Sequence, residues 1–312
     1  MRLPGFAGLY GGLAVLLLVA LVACSDDSTE QAASSKPVSE PVQQAMPAPE
    51  PITEPAPALE PPVVDETVSP ADAPAAPPVA PLPESEPASS SAALPRLAII
   101  IDDVGQSLTV GRRVVALPGP VALAILPQLP HSQTLAEEAA AAGKPVMLHL
   151  PMENMAGLSI GPGGLTTAMA EGEFRSRLQQ SLNAFGPIQG VNNHMGSRLT
   201  ADRQRMDWLM QVLAERQLFF VDSRTTAQTQ AAFAAKAARV PHVSRDIFLD
   251  NVRSEAEIDH EFRLVLARAR KQGAAVLIGH PYPETLDYLE RRLPQLEAEG
   301  VQLVSVQVLL ER

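Results

Sequence analysis

From Arg96 onward the chain alternates short apolar runs with amphipathic stretches, and this alternation limits the possible folds more than any other feature. The runs are LAIIID (97–102), VALAIL (121–126), PVMLHL (145–150), IQGVNN (188–193), LFFVD (218–222), RVPHV (239–243), AAVLIG (274–279) and VQLVS (301–305). A strand covered on both faces has no polar side, so short Val/Ile/Leu-rich runs predict buried parallel strands. Helices are expected between them. Gln133–Ala142 ends at Gly143, and Ala201–Arg216 carries Trp208, Leu209, Val212 and Leu213 at helical spacing. Ser254 and Glu257 form a capping-box pattern before Ile258–Lys271, which Gly273 ends, and Glu284–Glu299 is followed by Gly300. Strand and helix alternating through residues 96–312 predict an α/β fold. The expected form is an irregular (β/α) barrel of seven or eight parallel strands, ahead of an open doubly wound sheet. No GxGxxG or GxxxxGK[ST] motif occurs, and Gly161, Gly163 and Gly164 lie in a long loop with no lysine after them. A phosphate cradle is therefore not expected.

The residues before Arg96 read differently. The whole chain has a formal charge of −11 and 30 prolines, but these are unevenly placed. Residues 25–95 hold 12 acidic residues against Lys36 alone, with 17 prolines and no aromatic residue, while 96–312 is nearly neutral. Proline removes a backbone donor and disfavours helix in the residue before it, and few large apolar groups offset ordering entropy, so 25–95 is expected to be a disordered linker. Neither part is cationic, which argues against nucleic acid as a partner. Arg2, an apolar stretch densest over Leu13–Val22, and Leu21-Val22-Ala23-Cys24 have the order of a secretory signal ending in a bacterial lipobox. Residues 1–24 then form a lipoprotein-type signal peptide with Cys24 lipidated, the alternative being an uncleaved membrane anchor. Either places the domain outside the cytoplasm, on the periplasmic side of a bacterial envelope. Ser25, rather than an aspartate, points toward the outer membrane. Cys24 is the only cysteine, so the domain has no disulfide, thiolate nucleophile or cysteine metal site of its own.

Chemistry gathers at the expected strand ends: His149, His194, His242 and His280, with Asp102, Asp103, Asp222 and Asp250. In α/β barrels and open sheets, that edge is where ligands and reacting groups meet. Asp102-Asp103 closes an otherwise apolar strand, and two adjacent carboxylates there are costly without a cation, a donor or a shared proton. In HLPME, His149 and Glu153 stand four apart with Pro151 between them, so this is a strand end entering a loop that can supply one or two metal ligands. Ligation by His, Asp and Glu without cysteine suits zinc, with other divalent ions open.

The motifs LAIIIDDVG, MLHLPME, GVNNHMGS, FFVDSRT and IGHPYPET, in that order at strand ends, resemble the polysaccharide deacetylases of carbohydrate esterase type, and most closely their divergent branch. The resemblance spans Leu97 to about Glu311. It implies a metal-dependent hydrolase that removes N-acetyl groups from an envelope polysaccharide or peptidoglycan, with Asp102 as general base and Asp103 as metal ligand. His149 would be a second ligand and His280 the general acid. Glu153 stands where the mainstream family has another histidine, which leaves the third ligand between Glu153 and His194. Asn193, Asp222, Arg224, Asp250 and Tyr282 are candidates for substrate contact or support of the site. The mainstream arginine-proline-tyrosine-glycine segment is missing, and this keeps a second expectation open: a catalytically inactive, membrane-tethered protein that binds glycan or serves envelope assembly. A glycosidase is the weaker reading, because adjacent carboxylates from one strand end cannot flank a sugar bond.

Overall fold

The computed structural model describes residues 94–311; Cys24 and the expected linker lie outside them. The strands are β1 (Arg96–Val104), β2 (Ala122–Ile125), β3 (Val146–Met152), β4 (Gly190–Met195), β5 (Phe219–Asp222), β6 (His242–Ser244), β7 (Ile247–Phe248), β8 (Ala274–Gly279) and β9 (Gln302–Leu303). The α-helices are α1 (Leu108–Ala116), α2 (Ser132–Ala141), α3 (Glu171–Leu182), α4 (Arg203–Glu215), α5 (Ala231–Ala238), α6 (Glu255–Gln272) and α7 (Pro283–Arg292). The sheet runs β6-β5-β4-β3-β2-β1-β8-β7, all parallel, with β9 pairing beside β1. This is the expected α/β architecture in a curled, barrel-like form.

The irregularity has a definite place. The two end strands, β6 and β7, are consecutive in the chain and separated only by Arg245-Asp246. Arg245 N–H donates to Asp222 O of β5, and Asp246 N–H donates to Val276 O of β8, each at 2.9 Å. One chain segment thus changes partner between two neighbouring residues and ties the sheet's two edges together without a ladder between them. The expected strand at 239–243 begins only at His242, so His242 sits at the strand's start, away from the edge where the sequence reading placed it. The last expected strand, 301–305, shrinks to the two residues of β9.

Helix ends follow local chemistry. Ser254 Oγ accepts from Glu257 N–H at the start of α6, and Gly273 ends it with φ 85°. The expected helix 284–299 stops as α-helix at Arg292, because Pro294 cannot donate; a 3-10 turn follows over Leu293–Gln295.

The strands alternate between two apolar layers. Leu97, Ile99 and Ile101 of β1 face the helices, as do Leu148 of β3 and Val191 of β4. Ala98, Ile100, Met147, Phe219, Val221, Val276 and Ile278 fill the barrel interior. Continued by twos, the interior-facing series leads to Asp102, His149, Ser223 and His280, and Asn192 and His194 face inward on β4. The polar groups are thus the top layer of the same stack whose lower layers are apolar.

Candidate functional site

Asp102, Asp103, His149, Asn193, His194 and His280 line one cleft of ≈ 210 Å³, together with Met195, Ser223, Thr225 and Phe248. Strand alternation alone would send Asp103 to the opposite face from Asp102. The backbone prevents this: Asp103 has φ 55°, and the pairing of β1 with β2 shifts register between Ile101 and Val104. A left-handed non-glycine residue at such an irregularity is strained, and strain of this kind is retained where a side chain must be aimed. Met195 (φ 54°) does the same beyond His194. Its carbonyl is held by Asn193 Nδ2 at 2.7 Å and Thr225 Oγ1 at 2.9 Å.

Three atoms converge. Asp103 Oδ1 lies 3.1 Å from His149 Nε2 and 2.9 Å from His194 Nδ1, and the two ring nitrogens are 3.1 Å apart. Asp103 Oδ1 is buried and, despite these contacts, receives no well-aligned hydrogen bond. A buried carboxylate oxygen crowded by two imidazole nitrogens, but not bonded to a directed donor, fits a divalent cation. One carboxylate and two imidazoles are also a common donor set for zinc. Asp103, His149 and His194 form the only such trio among the described residues.

Glu153 is not brought to this trio. Its Oε2 accepts from both Thr167 N–H and Thr167 Oγ1 at 2.6 Å, and Oε1 faces Arg198 Nε at 3.4 Å. Burial would raise its carboxyl, but the Thr167 bonds outweigh this and hold it below the usual range. Of the two residues left open for the third place, Glu153 braces the loop after β3, and His194 stands beside Asp103 and His149.

Two further groups face the cleft. Asp102 is almost wholly buried; burial pushes its carboxyl up, against the pull of His149, His280 and a hydrogen bond from Asn192. His280 is oriented by Asp250: the carboxylate takes the His280 backbone N–H at 2.6 Å, lies 2.8 Å from Nδ1, and accepts Thr285 Oγ1 at 2.8 Å. Burial would lower the His280 imidazole, but the Asp250 hydrogen bond and charge reverse this and raise it. With Nδ1 engaged by Asp250, Nε2 is the nitrogen left for the cleft.

The remaining candidates sit around this centre. Asp222, raised by burial, accepts Arg224 N–H at 2.8 Å and Thr229 Oγ1 at 2.9 Å, so it shapes the loop after β5. Arg224 lines a separate groove of ≈ 570 Å³ with Arg96, His242 and Glu311. Tyr282 lies 5.5 Å from the His280 ring, and Arg253 covers it at 3.5 Å. Phe248 stacks on His280 at 6.1 Å, and Arg245 lies 3.7 Å from the Phe248 ring centre. His280 is therefore held in an aromatic column with guanidinium groups beyond both neighbours. Sequence reasoning missed Asn192, which touches both Asp102 and His149. Its only sequence signal is an amide in the middle of a buried strand.

Residues 99–310 match the family model described as divergent polysaccharide deacetylase. An uncharacterized Haemophilus influenzae protein is 38% identical over 218 residues, covering 70% of this chain and 78% of its own length. The uncharacterized protein YibQ of Escherichia coli is 34% identical over 222 residues, covering 71% of this chain and 69% of its own. Among solved structures, an uncharacterized protein from Agrobacterium tumefaciens superposes with a TM-score of 0.67 at 26% identity, over 70% of this chain and 91% of that one. With the family model spanning nearly the whole described domain, the chain belongs to the divergent polysaccharide deacetylase family.

Proposed function

We propose that the domain is a metal-dependent hydrolase that removes N-acetyl groups from an envelope glycan, peptidoglycan included. The observation that carries this reading is the convergence of Asp103 Oδ1, His149 Nε2 and His194 Nδ1 within 3.1 Å of one another, in a cleft that also holds Asp102 and His280. These three residues would hold the ion, with zinc the first candidate. When bound, a divalent ion polarises a carbonyl and lowers the pKa of water toward about 7.

The chain's own residues supply the proton transfers. Asp102, buried and held by Asn192, accepts the proton of the attacking water as the new C–O bond forms. His280, oriented by Asp250, donates a proton to the sugar nitrogen as the amide C–N bond breaks. Acetate and a free amine are the products, and the proton taken by Asp102 balances the one given by His280 over the cycle. Phe248 and the Asp250 contacts keep the His280 ring from swinging out of line.

The test is to supply purified protein with zinc, cobalt or manganese, offer N-acetylated glycan fragments, and measure acetate and amine together. Equal release of both is expected, abolished by Asp102→Asn. Tight metal binding with no acetate from any fragment would overturn the reading and leave glycan binding without turnover. The same proposal places the domain behind a lipidated Cys24 and the acidic, proline-rich segment 25–95. Fatty-acid labelling that persists in Cys24→Ala would refute that part.

A further inference from the structure

Asn192 is fully buried in the middle of β4, where an apolar side chain would carry no desolvation cost. Its amide uses both ends on the site. Nδ2 donates to Asp102 Oδ1 at 2.7 Å, and Oδ1 lies 2.8 Å from His149 Nδ1. Register places it there: His149 and Asn192 are directly paired on neighbouring strands, and Asp102 reaches Asn192 across the barrel interior from β1.

The orientation of this amide determines more than its own contacts. A carboxamide presents donors at one end and an acceptor at the other, and an ionised carboxylate offers acceptors only. The NH2 end must therefore face Asp102, so the carbonyl oxygen faces His149 Nδ1, and Nδ1 must carry a proton. That leaves Nε2 as the ring atom available for ligation. It is also the atom that lies 3.1 Å from Asp103 Oδ1 and 3.1 Å from His194 Nδ1.

We propose that Asn192 is a positioning residue that couples the two halves of the site. One amide aims the Asp102 carboxylate into the cleft and fixes the His149 tautomer in which Nε2 can bind a metal. The Asp102 half rests on the deacetylase reading; the His149 half requires only that the trio bind an ion.

Two variants separate the halves. Asn192→Ala removes both contacts. Asn192→Asp keeps an acceptor for the His149 Nδ1–H but offers Asp102 a second carboxylate in place of a donor. The probes are Zn2+ and Co2+, titrated in competition with a chromogenic chelator, with kcat/KM followed against pH on the same preparations. Asn192→Ala is expected to weaken metal binding by about 10–100-fold, as loss of a hydrogen bond behind a ligating histidine does elsewhere. Asn192→Asp is expected to bind metal at least as tightly as the unaltered protein. Its kcat/KM should fall as far as that of Asn192→Ala, with the acid limb of the profile moved to higher pH. Unchanged metal binding in Asn192→Ala, or binding in Asn192→Asp as weak as in Asn192→Ala, would overturn the proposal. If Asn192→Ala does not fold, Asn192→Asp decides alone: metal kept and turnover lost supports the coupling, and both kept or both lost refutes it. Unaltered protein that binds zinc but releases no acetate would end the deacetylase reading, while the affinity comparison would still judge the His149 half.

Discussion

Metal binding to this site must compete with a proton, and the structure sets how strongly. His149 Nε2 lies 3.1 Å from Asp103 Oδ1 and 3.8 Å from Asp102 Oδ2. Burial alone would drive the imidazole neutral, but the two carboxylates outweigh it and push its pKa up to about 9. An ion needs the lone pair that this proton occupies, so binding must expel it. At about pH 7 the ring is two units below its pKa, and the apparent affinity is about 100-fold weaker than its alkaline limit. Each pH unit upward should recover about tenfold, flattening near pH 9. The effect on stability has the opposite sign. An imidazole raised by folding stabilises the metal-free protein fully below about 6.5, and this contribution is lost as pH climbs through about 9. The metal-free Tm should therefore fall over that window, while the gain in Tm on adding zinc should grow. Calorimetric zinc titrations at about pH 6, 7 and 8, in buffers of different ionisation enthalpy, should show about one proton released per ion. Affinity flat across this range, or no proton released, would refute the account of the trio.

Other outcomes follow from particular contacts. His194→Ala should weaken zinc binding by at least about 100-fold, whereas Glu153→Gln should leave it unchanged, because Glu153 serves Thr167 and Arg198; the same competition titration checks both. Asp250→Ala strands three donors, the His280 N–H and ring nitrogen and the Thr285 hydroxyl. It should cost about 2–4 kcal/mol in denaturant unfolding and flatten the basic limb of the pH–rate profile. Gly190→Ala would place a Cβ 2.3 Å from the Phe219 ring inside the barrel. The overpacking should cost about 1–3 kcal/mol, read as a lowered Tm in the metal-free protein.

What could be read from the sequence, and what could not, divides along one physical line. The strands and their inward-facing ends were legible because apolar runs and period two are local properties; Asp102, His149 and His280 follow by counting in twos from Ile100, Met147 and Ile278. The partner change at Arg245-Asp246 was not, since a run of residues does not say which neighbour each N–H will find. The choice between Glu153 and His194 stayed open for the same reason. In HLPME the spacing of His149 and Glu153 invites a local pair, but the bridge of Met152 to Leu165 carries Glu153 toward Thr167. His194 and Asn192 reach the site through the register of β4 against β3, which pairs His149 with Asn192 and Pro151 with His194. Register joins residues 43 positions apart, and a single sequence has no periodic signal for it. Asn192 is the clearest case, because its signal was a cost rather than a pattern. An amide buried in a hydrophobic strand requires partners for both its ends, and in this barrel Asp102, His149 and, at 3.4 Å, Ser223 stand close enough to provide them.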